Sequence, residues 1–153
     1  EEPLLKRGLE LAIDSTDPDA LAEILELEVA SAHKRGMIPA KLFEGMGGYA
    51  PTIGIIGTVM GLVHVLGNLD EPSELGHMIA AAFIATLWGV LSANVLWLPI
   101  GNKLKALNEA EHQQGQLIIE GVLAIQSGAN PRMVDRKLRA LLPPSSGAEK
   151  KAA

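Results

Sequence analysis

The sequence contains no cysteine, so neither a disulfide nor a thiolate metal site can form. Aromatic residues are scarce, with two Phe, one Tyr and two Trp. Lysine and arginine are missing between Lys41 and Lys103, and the formal net charge is -5 at pH 7. Nucleic-acid binding needs a clustered basic face, and this distribution argues against it. No signal peptide is expected, because the chain opens with the charged stretch EEPLLKRG.

Two long apolar runs occupy the region without basic residues. They predict transmembrane helices over residues 47–69 and 78–101, since each reaches the roughly 20 residues that a helix needs to cross a bilayer. Neither run contains Asp, Glu, Lys or Arg. The acidic stretch 70–77, which includes Pro72, predicts a short turn between the two spans. A buried hairpin in a large soluble protein is the alternative, but the remaining chain is too short to cover one.

Basic residues flank both spans on the same side of the membrane. Because such residues favour the cytoplasm, both termini are expected to be cytoplasmic and the turn 70–77 periplasmic. The basic residues that set this orientation are Lys34, Arg35, Lys41, Lys103 and Lys105.

Water-soluble helices are predicted on either side of the spans, over residues 1–46 and 102–142. One begins after an N-cap at Asp17 and closes at Gly36, with an apolar stripe made of Leu21, Ile24, Leu25 and Val29. Another runs to about Gln126, and a third starts at Asn130. Residues 143–153 are predicted to be disordered. The fold class is therefore all-α, an integral membrane helical hairpin extended by cytoplasmic helices.

Small residues share one face of each predicted span when a rotation of about 100° per residue is applied. In lipid, close packing of such faces drives helix association. The faces could pack within the hairpin, between copies, or against a partner's helix. Candidates for packing against a partner's helix are Ala50, Gly54, Gly57, Gly61, Ala82, Ala85, Gly89 and Ala93.

Two hydroxyl groups, on Thr58 and Thr86, also lie on the small faces. A lone Thr in a span usually bonds to its own helix, but one on each of the two small faces makes the pair a candidate to line a polar path. Ion conduction normally needs an ionisable group inside the membrane, and the spans contain no acidic side chain. If the chain takes part in ion flow, the carboxylate must come from another chain.

Two prolines, Pro51 and Pro99, lie inside the apolar runs near the same membrane surface. Each removes a backbone hydrogen bond and favours a kink. The pair is a candidate for conformational coupling, with static kinks as the alternative.

Two stretches carry a family resemblance: GGYAPTIGIIGTVMGLVHVLGNLDEPSELG, from Gly47, and IAAAFIATLWGVLSANVLWLPIGNKLK, from Ile79. In order with both prolines and the later NPRMVDRKL, they closely resemble the third and fourth membrane spans of the MotA/PomA branch of the MotA/TolQ/ExbB family. The resemblance runs from about Leu4 to Leu142.

The resemblance implies a flagellar motor stator subunit of the bacterial inner membrane, active in motility and chemotaxis. Members of the family have four spans and form homopentamers around a MotB-type single-span partner, which supplies the ion-binding aspartate. Their cytoplasmic part engages the rotor protein FliG. No cofactor is implied beyond the transported Na⁺ or H⁺, and membrane lipid is the surrounding medium.

The resemblance also assigns roles to the two pairs found above. Thr58 and Thr86 match positions on the ion pathway, and Pro51 and Pro99 match two prolines important to the mechanism. Hydroxyl at both Thr positions favours Na⁺ over H⁺, because oxygen ligands suit a partly dehydrated hard cation.

Two other functions remain open. One is an ExbB/TolQ-like ion-driven energiser, and the other is a non-conducting structural membrane hairpin. An enzyme is not expected, because no nucleophile–base pair, metal cluster or phosphate loop occurs. His33 and His112 are interpreted as isolated, solvated surface residues.

Overall fold

The computed structural model describes residues 3–14, 17–70 and 72–142. Every regular element in these residues is helical, which confirms the all-α fold class. The predicted disordered tail, residues 143–153, lies outside the described residues. The elements in chain order are α1 (Pro3–Ile13), α2 (Pro18–Leu66), α3 (Pro72–Ser92), a π-helical segment (Ala93–Trp97), α4 (Leu98–Gln126) and α5 (Pro131–Leu141).

The chain divides into two compact units, each with contacts of its own. The hairpin unit comprises Gly36–Asn108, and the flanking unit comprises Glu1–Arg35 with Glu109–Ala153. The hairpin unit contains both predicted spans.

Two helical stretches, Pro18–Leu66 and Pro72–Gln126, are long and apolar enough to cross a membrane. Only 11% and 17% of their most apolar windows are buried, whereas the core helix of a soluble protein is mostly buried. Large apolar side chains such as Ile53, Met60 and Leu87 are exposed on them. Lipid would cover this surface, as the sequence predicts.

The flanking unit has a small apolar core. It is formed by Leu21, Leu25, Val29, Ile119 and Val122, which lie on α2 and α4. Three of the four residues on the predicted α2 stripe are therefore buried, while Ile24 is 40% exposed. The α1 helix packs onto this core at Gly8, whose missing Cβ would lie 3.1 Å from Val122 Cγ2.

Helix ends in the flanking unit follow the capping residues. The Asp17 carboxylate accepts a hydrogen bond from the Ala20 amide at 3.2 Å, and the Asn130 side chain accepts one from the Arg132 amide at 3.0 Å. The α4 helix ends at Gln126 in a Schellman motif, in which Gly128 has φ +69° and the Ala129 amide donates to the Ala124 carbonyl.

The predicted helix end at Gly36 is wrong, because α2 continues through Gly36, Pro39 and Pro51 to Leu66. Gly36 is a packing residue instead. A Cβ there would lie 2.0 Å from Oδ1 of Asn108, a side chain that is only 6% exposed. The glycine signal thus reflects a close contact rather than a helix end.

The turn between the spans is shorter than the predicted stretch 70–77. Turn geometry covers residues 67–70, and α3 already begins at Pro72. Proline suits the first helical position because its missing N–H has no partner there in any case, and Glu74 in the first turn favours the helix N-terminus.

Alanine substitutions at Gly128 and Gly121 should change the free energy of unfolding in opposite directions, and together they test where α4 ends. Gly128→Ala should lower the free energy of unfolding by about 1–2 kcal/mol, because a Cβ is strained at positive φ even in open space. Gly121→Ala should raise it by about 0.5–1 kcal/mol, since its Cβ makes an ordinary contact with Leu138 at 3.8 Å inside the helix. Thermal unfolding in detergent measures both. A stabilising Gly128→Ala would contradict the assigned helix end.

Candidate functional site

The small faces of the two spans pack against each other within the hairpin unit. A Cβ on Gly54 would lie 2.8 Å from the Ala85 carbonyl oxygen and 3.2 Å from Gly89 Cα. A Cβ on Gly89 would lie 2.7 Å from the Ala50 carbonyl oxygen. Real Cβ atoms essentially never approach within 3.0 Å, so only hydrogen fits at these two positions. The two helices touch there through their backbones.

The close approach continues away from Gly89 along α3. Cβ atoms on Gly57 and Gly61 would lie 2.9 Å from Ala85 Cβ and 2.6 Å from Ala82 Cβ. Ala82 and Ala93 are buried.

The small residues therefore form the contact between the two helices of the hairpin, which is one of the alternatives that the sequence left open. Gly54 and Ala82 are buried at the contact with the other helix of the same chain, and Gly61 and Gly89 are half-buried there. The expectation that these positions pack against a partner's helix stays a prediction, because small residues permit close approach without specifying which helix approaches.

Thr58 and Thr86 are brought together at the same interface. The Thr58 hydroxyl lies 3.0 Å from the Ala82 carbonyl oxygen and 3.2 Å from that of Gly54, and it makes a short contact with the Thr86 hydroxyl. The Thr86 hydroxyl lies 3.4 Å from the Gly54 carbonyl oxygen. We call these four oxygens, from two side chains and two carbonyls, the oxygen cluster.

The oxygen cluster has more acceptors than hydrogens. Thr58 and Thr86 each carry one hydroxyl hydrogen, whereas four oxygen–oxygen contacts link the group. Two contacts therefore lack a hydrogen at any moment. The partly buried group presents oxygen atoms of the kind that hard cations take as ligands, and it lies between two spans with no charged side chain.

Pro51 and Pro99 both lie inside helices, but their surroundings differ. Pro51 is partly buried within α2, and Pro99 is exposed just after the π-helical segment. In that segment the Leu98 amide bonds to the Ala93 carbonyl, five residues earlier. A proline lacks an N–H, and its ring clashes with the carbonyl four residues before it, so the wider π turn makes room for Pro99.

Sequence reasoning missed three further residues near the two prolines, namely Gly47, Asn94 and Leu98. The Asn94 side-chain amide donates to the Val90 carbonyl at 2.9 Å, next to the altered backbone bonds. A Cβ on Gly47 would lie 2.5 Å from Cδ2 of Leu98, the residue before Pro99. Gly47 is also the residue whose carbonyl Pro51 cannot reach with an N–H. The contact between Gly47 and Leu98 therefore joins the two places where a proline interrupts the backbone hydrogen bonds.

Together, a pair of long apolar helices, contact through small residues and a hydroxyl cluster without charge define an integral membrane helical-hairpin protein. The sequence pattern of the MotA/TolQ/ExbB proton channel family matches residues 1–116, and the chain belongs to this family.

Individual relatives agree with this assignment. The chain is 39% identical over 143 residues to Motility protein A of Bacillus subtilis, covering 94% of the chain and 53% of the relative. It is 36% identical over 135 residues to the chemotaxis protein PomA of Vibrio alginolyticus, covering 88% and 53%. The chain thus spans about half the length of these relatives.

Solved structures match the fold as well. One is the flagellar MotAB stator complex from Bacillus subtilis, with a TM-score of 0.86, 39% identity, and coverage of 94% of this chain and 57% of that chain. Another is C. jejuni MotAB, with a TM-score of 0.89, 30% identity, and coverage of 95% and 57%.

Substitution at Gly54 tests the helix contact, with Gly48 as a matched control on α2. Gly54→Val should destabilise the protein by about 1–3 kcal/mol, because the added side chain meets backbone atoms of α3. Gly48→Val introduces the same residue into open space and should cost much less. Thermal unfolding in detergent compares the two. Equal losses of stability would rule out the packing contact as the cause.

Proposed function

We propose that the chain forms the ion-pathway wall of a flagellar motor stator subunit. The observation that carries the proposal is the oxygen cluster of Thr58, Thr86 and the carbonyls of Gly54 and Ala82, held between two spans without charge. Relatives named Motility protein A and PomA, and the structures of MotAB complexes, support it. The proposed role is conduction and force transmission rather than catalysis.

A partner must supply the charge that this chain lacks. Crossing ions need an ionisable group at membrane depth, and residues 47–69 and 78–101 contain no Asp or Glu. We propose a MotB-type partner that brings an aspartate to the wall, since the structurally similar proteins are MotAB complexes. A homopentamer, contact with FliG and an inner-membrane location with both termini cytoplasmic complete the proposal.

Na⁺ is the proposed ion. Two hydroxyls and two carbonyls provide the hard oxygen ligands that a partly dehydrated cation needs. A proton needs only a chain of hydrogen bonds, and H⁺ is the competing outcome of the test below.

The structural hairpin is a second candidate because of one specific observation. The Thr58 hydroxyl reaches the Ala82 carbonyl of the facing helix at 3.0 Å, so the same group could serve only to join the two helices. The two candidates differ in whether loss of a hydroxyl changes ion flow beyond its effect on stability.

Motility of a chimera tests the ion and the function together. The chain would replace the matching half of Motility protein A of Bacillus subtilis, expressed with the MotB of that complex in cells lacking both proteins. At fixed pH, swimming speed should rise with Na⁺ concentration, and Thr58→Ala should weaken this dependence several-fold. Speed that is independent of Na⁺ but falls when the proton gradient is collapsed would assign H⁺ instead.

Thr86→Val and Thr86→Ser separate a conducting role from a structural one. Valine keeps the shape but removes the hydroxyl, so swimming should fall at least tenfold, about 1.4 kcal/mol in the barrier to ion passage. Serine keeps the hydroxyl and should retain most of the speed. Membrane levels of both variants, measured by immunoblot, provide the control. Normal swimming by Thr86→Val would favour the structural hairpin.

Replacement of the prolines tests conformational coupling. Pro51→Ala and Pro99→Ala each restore a backbone N–H, so they should keep or raise helix stability while reducing swimming. Pro39→Ala, on the same long helix but outside the predicted spans, is the control and should swim normally. Speed is measured in the chimera, and stability by thermal unfolding. Full motility of both span variants would leave the prolines with no role beyond local geometry.

A further inference from the structure

The imidazole rings of His33 and His112 are in contact within the flanking unit. His33 lies on α2 and His112 on α4, and their ring centroids are 4.5 Å apart with the planes tilted by 39°. Both side chains are half-buried. The expectation that they are isolated surface residues is therefore wrong, because two helices distant in sequence bring them together.

Gln116 fixes the orientation of the His112 ring. Its side-chain nitrogen lies 3.2 Å from His112 Nε2, one helical turn further along α4. The oxygen and nitrogen of a glutamine amide are assigned from hydrogen bonding, so the amide can equally present its oxygen. In that orientation His112 Nε2–H donates to Gln116, and Nδ1 retains its lone pair.

His112 Nδ1 is buried and has no hydrogen-bond partner among the described residues. A buried polar atom without a hydrogen-bond partner destabilises the folded state, and a bound ligand would remove this cost. An unpaired Nδ1, an oriented Nε2–H and a second imidazole at contact distance are the features of a metal-ligating histidine with its supporting hydrogen bond.

From these features we propose that His33 and His112 bind a divalent late transition-metal ion such as Zn²⁺, Ni²⁺ or Cu²⁺. Imidazole nitrogen is a preferred ligand of these ions, and Gln116 acts as a positioning residue. Metal–nitrogen bonds of about 2.0–2.1 Å at a tetrahedral angle place the two nitrogens about 3.4 Å apart. Ring centroids 4.5 Å apart bring imidazole nitrogens into this range.

The surroundings of the pair suit an exchangeable ion. A groove of about 370 Å³ is lined by His112 and Gln116 and also by Glu26 and Glu120, whose carboxylates favour the entry of cations beside His112. Among the described residues, no group of three or more metal ligands occurs. Water must therefore fill the remaining coordination positions, so the bound ion stays accessible. This site is distinct from the oxygen cluster, whose hard ligands suit other ions.

Calorimetric titration of the purified, EDTA-treated full chain with Ni²⁺ and Zn²⁺ tests the proposal. His33→Gln and His112→Gln should each weaken binding at least tenfold. The other two histidines provide matched controls, since both are exposed, and His64→Gln and His77→Gln should leave affinity unchanged. Gln116→Leu should weaken binding about 10–100-fold, while Gln116→Glu should retain it.

Electron paramagnetic resonance of bound Cu²⁺ provides a readout that a loss of fold could not mimic. The unmodified chain should show two coordinating imidazole nitrogens, and each single His33 or His112 variant should show one. Circular dichroism confirms that the variants remain helical. Unchanged affinity in His33→Gln, loss of binding in the His64 or His77 variants, or a single imidazole in the unmodified chain would overturn the proposal.

Discussion

The backbone contact between Gly54 and Gly89 is the constraint on which the hairpin unit depends. Apolar side chains gain nothing from leaving lipid for one another, so the helices associate only where their surfaces fit closely. Hydrogen as the side chain at both positions allows this fit. Thr58 lies four residues after Gly54, and Thr86 lies three residues before Gly89, so each is about one helical turn from the contact. The hydroxyls can therefore reach each other and the carbonyl oxygens of the facing helix only because the backbones touch.

The π-helical segment explains how both Gly89 and Gly101, which lie on either side of Pro99 along the chain, can contact α2. At about 100° per residue, an uninterrupted α-helix would place Gly101 about 120° around the axis from Gly89. A π turn absorbs one extra residue and cancels about 100° of that rotation. Gly101 therefore also faces α2, where its missing Cβ would lie 3.3 Å from the Ala40 carbonyl oxygen. The π-helical segment before Pro99 thus restores the rotational phase of the helix, and the kink expected at Pro99 stays a prediction.

Sequence reasoning identified features that depend on single residues or on one helix. The two spans, the small faces and the positions of Thr58 and Thr86 on those faces follow from length, charge and the 3.6-residue period. It failed where one signal has two physical origins. Glycine at position 36 marks a helix end or a close contact, and only the position of Asn108 distinguishes them. The π-helical segment was missed because it depends on two effects together. The Pro99 ring needs room, and Gly89 and Gly101 on either side of it both contact α2.

If the chain conducts ions as proposed, binding of an ion at the oxygen cluster changes the distance between the two helices of the hairpin. The hydroxyls of Thr58 and Thr86 are in short contact, and Thr58 also reaches the carbonyl of the facing helix. An ion that takes these oxygens as ligands must replace the hydrogen bonds that join the two helices. The backbone contact at Gly54 prevents closer approach, so the adjustment has to open the hairpin. Near Pro51 and Pro99 the hydrogen-bond ladder is already interrupted, and bending there costs least.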